Sequence, residues 1–300
     1  MKLGIKLTMD IVFRTVFADE AHANLTASLV NSVLEKAGRP KAASLTILNP
    51  SRLGQFQDDK DVILDVRAVD EAEREFQIEV QVETFEALPR RILYNWASCY
   101  LGRLKKGRDY EALRPVVSIW ILERPLFRDG SWFHAFSLRD EKTGRVMSDD
   151  ILLLVVELPA WIAARGKYLG KTVAQSLDCW LYLLWKAEEI DPVEPPPEVA
   201  GGEYREALEI MAAWTKRDIA RDLYRRRMDY QRTMATIKAE ATRKAREAHA
   251  AGLAEGRAEA REAALAEGKQ EAAKRLRALG VDLDIIAQAI GLSKEEIERL

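Results

Sequence analysis

The chain has 300 residues, 48% of them hydrophobic and 31% charged, with a formal net charge of -2. This composition is globular and ample for a buried core. The near-neutral balance excludes a chain that is basic throughout, so nucleic-acid binding would have to come from a local patch. Two cysteines far apart in sequence (Cys99 and Cys179) and only three histidines argue against a zinc site or a histidine-based nucleophilic triad. No glycine-rich phosphate loop occurs. No apolar run long enough to span a bilayer occurs, and MKLGIKLTMD lacks the apolar core of a signal peptide. The expectation is a soluble, cytoplasmic protein with no membrane partner.

In chain order, residues 8–37 predict two helical pieces. The first, DIVFRTVF, is read as capped by Asp10, with Phe13 and Phe17 one turn apart on one face. The second stops at Gly38-Arg39-Pro40. SLTILNP is a strand, and SRLGQFQDDKD a loop leading into a hairpin.

The hairpin, VILDVRAVDEAEREFQIEVQVE over residues 62–83, carries the argument. Side chains alternate along a strand with period two. Phe76, Ile78, Val80 and Val82 fall on one face, and Glu75, Gln77, Glu79, Gln81 and Glu83 on the other. A turn over Asp70 to Arg74, centred on Ala72, sets Val66 against Ile78, Leu64 against Val80 and Asp65 against Glu79. A slip of one residue would oppose apolar and polar side chains. Directly opposed Cβ atoms lie roughly 4.5–5.5 Å apart, and like charges so placed repel. A divalent cation between the two carboxylates would remove that repulsion. The plainer reading is an amphipathic hairpin with a solvated acidic face. Against it, the first strand is apolar on both sides except at Asp65 and Arg67, as in a covered strand.

Beyond the hairpin, PRRILYNWASCYLGRLKKG predicts a helix ending at Gly107, with Tyr94, Trp96 and Tyr100 read as core. RPVVSIWILER predicts a strand, and after a less readable segment DILLLVVELP predicts another. SLDCWLYLLWKAEEI predicts an apolar helix. Residues 88–128 hold nine Lys and Arg against three acids, a local net charge of +6. Residues 192–202 are a Pro/Gly-rich connection, and 203–230 read as a helical pair. The expected domain organisation is 1–230, followed by a charged Ala/Glu/Arg helical tail over 231–300. The tail ends in two short helices around Gly291-Leu292-Ser293, which resemble part of a helix-turn-helix. It lacks a sustained apolar seam of the coiled-coil type, and homo-oligomerisation through it is a candidate role.

Five blocks occur in order: DIVFRTVF (10–17), KDVILDVRA (60–68), FQIEVQ (76–81), RRILYNWASCY (90–100) and LKKGRDYEALRPVVSI (104–119). Together they resemble the bacterial recombination-promoting nuclease and transposase family of the PD-(D/E)XK superfamily, over about residues 5–230. The resemblance implies an α/β, restriction-endonuclease-like mixed sheet flanked by helices, here with a C-terminal helical extension. It implies Mg²⁺-dependent cleavage of DNA phosphodiesters, with Mn²⁺ as an alternative ion, in recombination or mobile elements.

By position, Asp65 matches the motif aspartate and Glu79 the motif acid, the two expected metal ligands. Gln81 stands in the place of the superfamily's lysine, as a catalytic position that would orient water. Arg14 stands where many members carry lysine. The first-motif acid stays open between Asp10 and Glu35. DNA contacts are expected from Lys60, Arg90, Arg91, Arg103, Lys105, Lys106 and Arg108. The missing lysine leaves a competing reading: a catalytically degenerate DNA-binding or scaffold protein of the same fold.

Overall fold

A computed structural model of the chain describes residues 2–48, 65–104, 109–127, 129–165, 176–216 and 218–300. It divides into two compact units, Met1–Tyr224 and Arg225–Leu300.

In the first unit the strands are β1 (Leu45–Leu48), β2 (Val66–Asp70), β3 (Glu75–Gln81), β4 (Val116–Leu122), β5 (Phe133–Arg139) and β6 (Val146–Glu157). The described residues form a six-stranded sheet in the order β1-β2-β3-β4-β6-β5. β3 pairs with β4 and β4 with β6 in parallel, and the remaining pairs are antiparallel. Parallel neighbours need a crossover, and α3 (Leu88–Arg103) supplies it between β3 and β4. The other helices of this unit are α1 (Asp10–Phe17), α2 (Ala23–Lys36), α4 (Leu158–Ala164), α5 (Ser176–Lys186) and α6 (Gly202–Thr215). This is the mixed sheet with flanking helices that the resemblance implies.

Registers across β3, β4 and β6 explain where the core sits. One row sets Phe76, Ile78 and Val80 beside Val117, Ile119 and Ile121, and these beside Leu152, Leu154 and Val156. All are buried. The alternate row sets Glu75, Gln77, Glu79 and Gln81 beside Val116, Ser118, Trp120 and Leu122, then Ile151, Leu153, Val155 and Glu157. α3 lies on this second row, with Leu88 and Ile92 packed against Trp120, Leu122, Leu153 and Val155. Each such buried apolar side chain contributes about 1.5–3 kcal/mol. The polar face of β3 is therefore covered: Glu75 and Gln77 are fully buried and Glu79 is 4% exposed. The plainer reading, a solvated acidic face, does not hold for these three residues.

Several expectations change. Asp10 is not the cap of α1. Buried Met9 occupies that position in extended conformation, and its carbonyl accepts from Val12 and Phe13 N–H. Asp10 is the first helical residue. α3 ends at Arg103, where Leu104 turns extended; Gly107, its expected end, lies outside the described residues. β5 was hidden in the less readable segment: it is an edge strand, half-exposed, with its register broken near Leu138. Leu158 and Pro159 leave the expected strand and open α4, where Pro fits the first turn. Trp96 and Tyr100 stack with centroids 5.1 Å apart and are partly buried, whereas Tyr94 is 47% exposed and lies outside the core. The expected helical pair over 203–230 is α6 and the start of α7 (Asp218–Ala278), which runs on for 61 residues without the break expected at 230.

In the second unit, residues 238–272 of α7 are exposed throughout. The end of α7 joins α8 (Leu283–Ile290) and α9 (Lys294–Glu298) around Ala273, Ile286 and Ile297. Gly291 closes α8 at φ +72°, a left-handed conformation that favours glycine. Ser293 and Glu296 form a capping box that starts α9. The two short helices around Gly291-Leu292-Ser293 are thus as expected. Among the described residues, no helix is long and apolar enough to cross a membrane.

Candidate active site at the open end of the hairpin

The β2–β3 turn fixes everything downstream of it. The Asp70 carboxylate accepts from the N–H groups of Ala72 and Arg74, and Asp70 and Arg74 close the turn through their backbones. The register then runs Val69 against Glu75 to Val66 against Ile78, as the alternation predicts. One step further, Asp65 meets Glu79.

The ladder ends there in a side-chain contact. Asp65 Oδ2 accepts from the Val80 N–H at 3.0 Å. Glu79 Oε1 is buried with no hydrogen-bond partner. Burial pushes the Asp65 carboxyl up to about 6, against the pull of the Val80 N–H, and the Asp10 charge adds to the rise. Burial likewise pushes Glu79 well above the usual carboxylate range, and the Asp65 charge adds to it. Arg91 counteracts both, and Arg14 counteracts Asp65. So α1 presents Asp10 and Arg14, one helical turn apart, to the carboxylate of Asp65, while α3 presents Arg91 to both acids.

Gln81 lies one strand period beyond Glu79. Its Nε2 donates to the Glu83 carbonyl at 2.7 Å, and its Oε1 accepts from Arg91 Nη1 at 3.1 Å. The Arg91 guanidinium also lies over the Trp120 ring, 5.7 Å from its centroid.

No cluster of three or more His, Cys, Asp or Glu side chains arranged for a metal occurs among the described residues. The pair itself fits a hard cation. Two adjoining carboxylates, Glu79 buried with an orphaned oxygen and Asp65 part-buried, are costly without a positive partner. Mg²⁺ is bound through one or two protein carboxylates and fills its octahedron with water and phosphate oxygens.

The other expected residues disperse. Glu35 stands at the end of α2, paired with Lys41 at 2.9 Å, and lines a groove with Asn24, Ser28, Glu203 and Glu206. Arg90 is exposed in the first turn of α3, beside Arg91. Arg103 is at the opposite end of α3, about 18 Å away at 1.5 Å per residue. It donates to the Glu73 carbonyl at 2.6 Å and lies 3.7 Å from the Glu75 carboxylate, so it braces the turn. The positive charge expected from α3 is therefore split between its two ends. Lys60, Lys105, Lys106 and Arg108 lie outside the described residues.

Sequence reasoning missed two buried carboxylate contacts. Arg67 donates to Glu75 Oε1 through Nε and Nη2, at 2.8 and 2.6 Å. Arg67 and Glu75 fall on the polar face by alternation, so a cation there was a signal that Glu75 is neutralised internally. Glu157 is the second. Its Oε1 accepts from the Leu126 and Phe127 N–H groups, fixing the loop after β4 in the same row as Gln81 and Leu122. It ends an otherwise apolar strand pattern, and nothing local marks it.

No curated protein and no solved structure matches the chain. Residues 7–241 match the family model described as PD-(D/E)XK nuclease family transposase. With a mixed sheet that sets an acid on each strand of its hairpin, and a match over most of its length, the chain belongs to the PD-(D/E)XK nuclease family transposases, with their restriction-endonuclease-like fold.

Proposed function

We propose that this chain is a divalent-metal-dependent DNA endonuclease with its site at the open end of the β2–β3 hairpin. The observation that carries the reading is the contact of part-buried Asp65 with buried Glu79, one of whose oxygens is orphaned. Asp65 and Glu79 would hold the ion, Mg²⁺ or Mn²⁺. When bound, such an ion lowers the pKa of a water ligand and polarises a phosphate oxygen. Asp10 is the better candidate for the first-motif acid, because its charge reaches Asp65 and Glu35 is tied to Lys41.

In the proposed reaction a water oxygen bonds to phosphorus and loses its proton to solvent. One P–O ester bond breaks, its electron pair stays on the leaving oxygen, and that oxygen takes a proton from solvent. Arg90, exposed in the first turn of α3, would meet a phosphodiester backbone running past the acids. Such contacts position a duplex without reading its sequence. The hydrogen bonds of Gln81 differ from the expected water-orienting role: both ends of its amide are engaged within the chain.

The family assignment supports a nuclease associated with mobile elements. A second reading has its own observation: no three-acid metal cluster occurs among the described residues, and glutamine replaces the motif lysine. It makes the chain a DNA-binding scaffold without catalysis. Plasmid nicking by purified protein in Mg²⁺, in Mn²⁺ and in EDTA, with Asp65→Ala beside the native chain, decides between them. Nicking that needs metal and Asp65 is the expected result. DNA binding without nicking in either metal would establish the scaffold instead.

A further inference from the structure

The acids of the site are served by an unusual cation. Arg14 and Arg91 both act on Asp65, and Arg91 is also among the largest influences on Glu79. It is held from two sides. Gln81 Oε1 accepts its Nη1 hydrogen bond at 3.1 Å, and the Trp120 ring lies beneath its guanidinium at 5.7 Å. Each anchor is itself fixed. Gln81 Nε2 is bound to the Glu83 carbonyl, and Trp120 Nε1 donates to Ser118 Oγ at 2.9 Å. Pro89 in the first turn fixes where α3 begins, and the Arg91 N–H already bonds back to the Ala87 carbonyl. A long cationic side chain that would otherwise sample many rotamers is thereby confined to the rim of the acid pair.

We propose that Arg91 is the catalytic cation of this site, stabilising charge on the scissile phosphate in the transition state, and that Gln81 is its positioning residue. This rests on the nuclease reading above. Charge builds on the non-bridging phosphate oxygens as water attacks, and a pre-placed donor in a partly dry site stabilises that charge more than the ground state. Glutamine has no charge to supply. Its amide oxygen supplies geometry, orienting a guanidinium that arrives from the neighbouring helix. An arginine in that role presents a planar fork to phosphate and does not lose its proton.

The test is steady-state cleavage of a short duplex in Mn²⁺ by the full chain and by Arg91→Met, Arg91→Lys, Gln81→Ala and the double variant Arg91→Met/Gln81→Lys. Mn²⁺ binding and duplex binding in EDTA are measured alongside. The proposal expects kcat to fall about 10²–10³-fold in Arg91→Met, as when one transition-state donor is removed, with KM and Mn²⁺ binding within about threefold. Arg91→Lys should keep part of the rate. Gln81→Ala should show a smaller fall than Arg91→Met. The double variant, with an ammonium on the strand in place of the guanidinium on the helix, should recover at least about tenfold over Arg91→Met.

An unchanged kcat in Arg91→Met overturns the proposal. So does a loss that appears wholly in KM, which would make Arg91 a plain DNA contact. Failure of both Arg91→Lys and the double variant to exceed Arg91→Met would assign Arg91 a structural role. A native chain that cleaves nothing in any metal overturns the nuclease reading first and this proposal with it.

Discussion

The two ends of β3 carry the same residue type on the same covered face, and the chain treats them in opposite ways. At the turn end, Glu75 is fully buried against Arg67, which reaches its Oε1 with two nitrogens, while Arg103 stands 3.7 Å from Oε2. Each acid has one oxygen without a hydrogen bond, Glu75 Oε2 and Glu79 Oε1, but at the open end Glu79, 4% exposed, faces a second carboxylate instead of arginines. A buried charge is costly unless paired. The turn end meets this cost with its own arginines, and the result is scaffold. The open end leaves it unmet by any strand neighbour, which is the condition a metal site requires. Burial of an acid is thus no mark of function by itself. Burial beside another acid, rather than beside arginine, is.

The sharpest way to break this comparison is to neutralise each acid in turn. Glu79→Gln should lower DNA cleavage at least about a hundredfold, read by plasmid nicking, while leaving the metal-free fold as stable as before or more so. Glu75→Gln should do the reverse to stability. It takes from buried Arg67 the carboxylate oxygen that accepts two of its hydrogen bonds, at a cost of about 1.5–3 kcal/mol, read by urea denaturation. Equal stability losses in both variants would erase the distinction between the ends.

A smaller effect follows from protons. Asp65 has its folded pKa raised to about 6 and Glu79 is raised well above its usual range, so both bind protons more tightly folded than unfolded. Their contribution to stability is full below the ordinary carboxylate pKa and is lost as pH rises through the raised values. In EDTA, the native chain should therefore lose more stability as pH rises from the ordinary carboxylate range through about 6 than Asp65→Asn/Glu79→Gln does. Thermal melts across that range check it, and parallel pH profiles would contradict it. The smallest expected effect is at Arg103. Arg103→Ala should cost about 1–2 kcal/mol through its lost hydrogen bond at the turn and leave duplex binding in EDTA unchanged. A clear loss of binding would restore it to the DNA surface.

The sequence made the centre of this fold legible because alternation is strict there. The ladder Val66–Ile78, Arg67–Gln77 and Ala68–Phe76 follows from period two and one turn position. Asp65 and Glu79 come together for the same reason. What stayed hidden depends on the third dimension. That α3 covers the polar row of β3 is decided by Leu88, Ile92 and Trp120 meeting across the sheet, and no local pattern states it. Arg103 and Arg91 look alike in a count of positive charge, yet 1.5 Å per residue carries them to opposite ends of the helix. β5 was obscure because an edge strand with exposed Phe136 and Leu138 has no clean apolar face. The engagement of Gln81 by Arg91 joins residues ten apart, on a strand and a helix, and required the crossover geometry.

The central claim is that Asp65 and Glu79 together hold one divalent cation. Calorimetric titration of Mn²⁺ into the native chain, Asp65→Asn and Glu35→Gln tests it most directly. The account predicts one site per chain that is lost in Asp65→Asn and unchanged in Glu35→Gln, where the acid is tied to Lys41. Equal Mn²⁺ binding by the native chain and Asp65→Asn would contradict it.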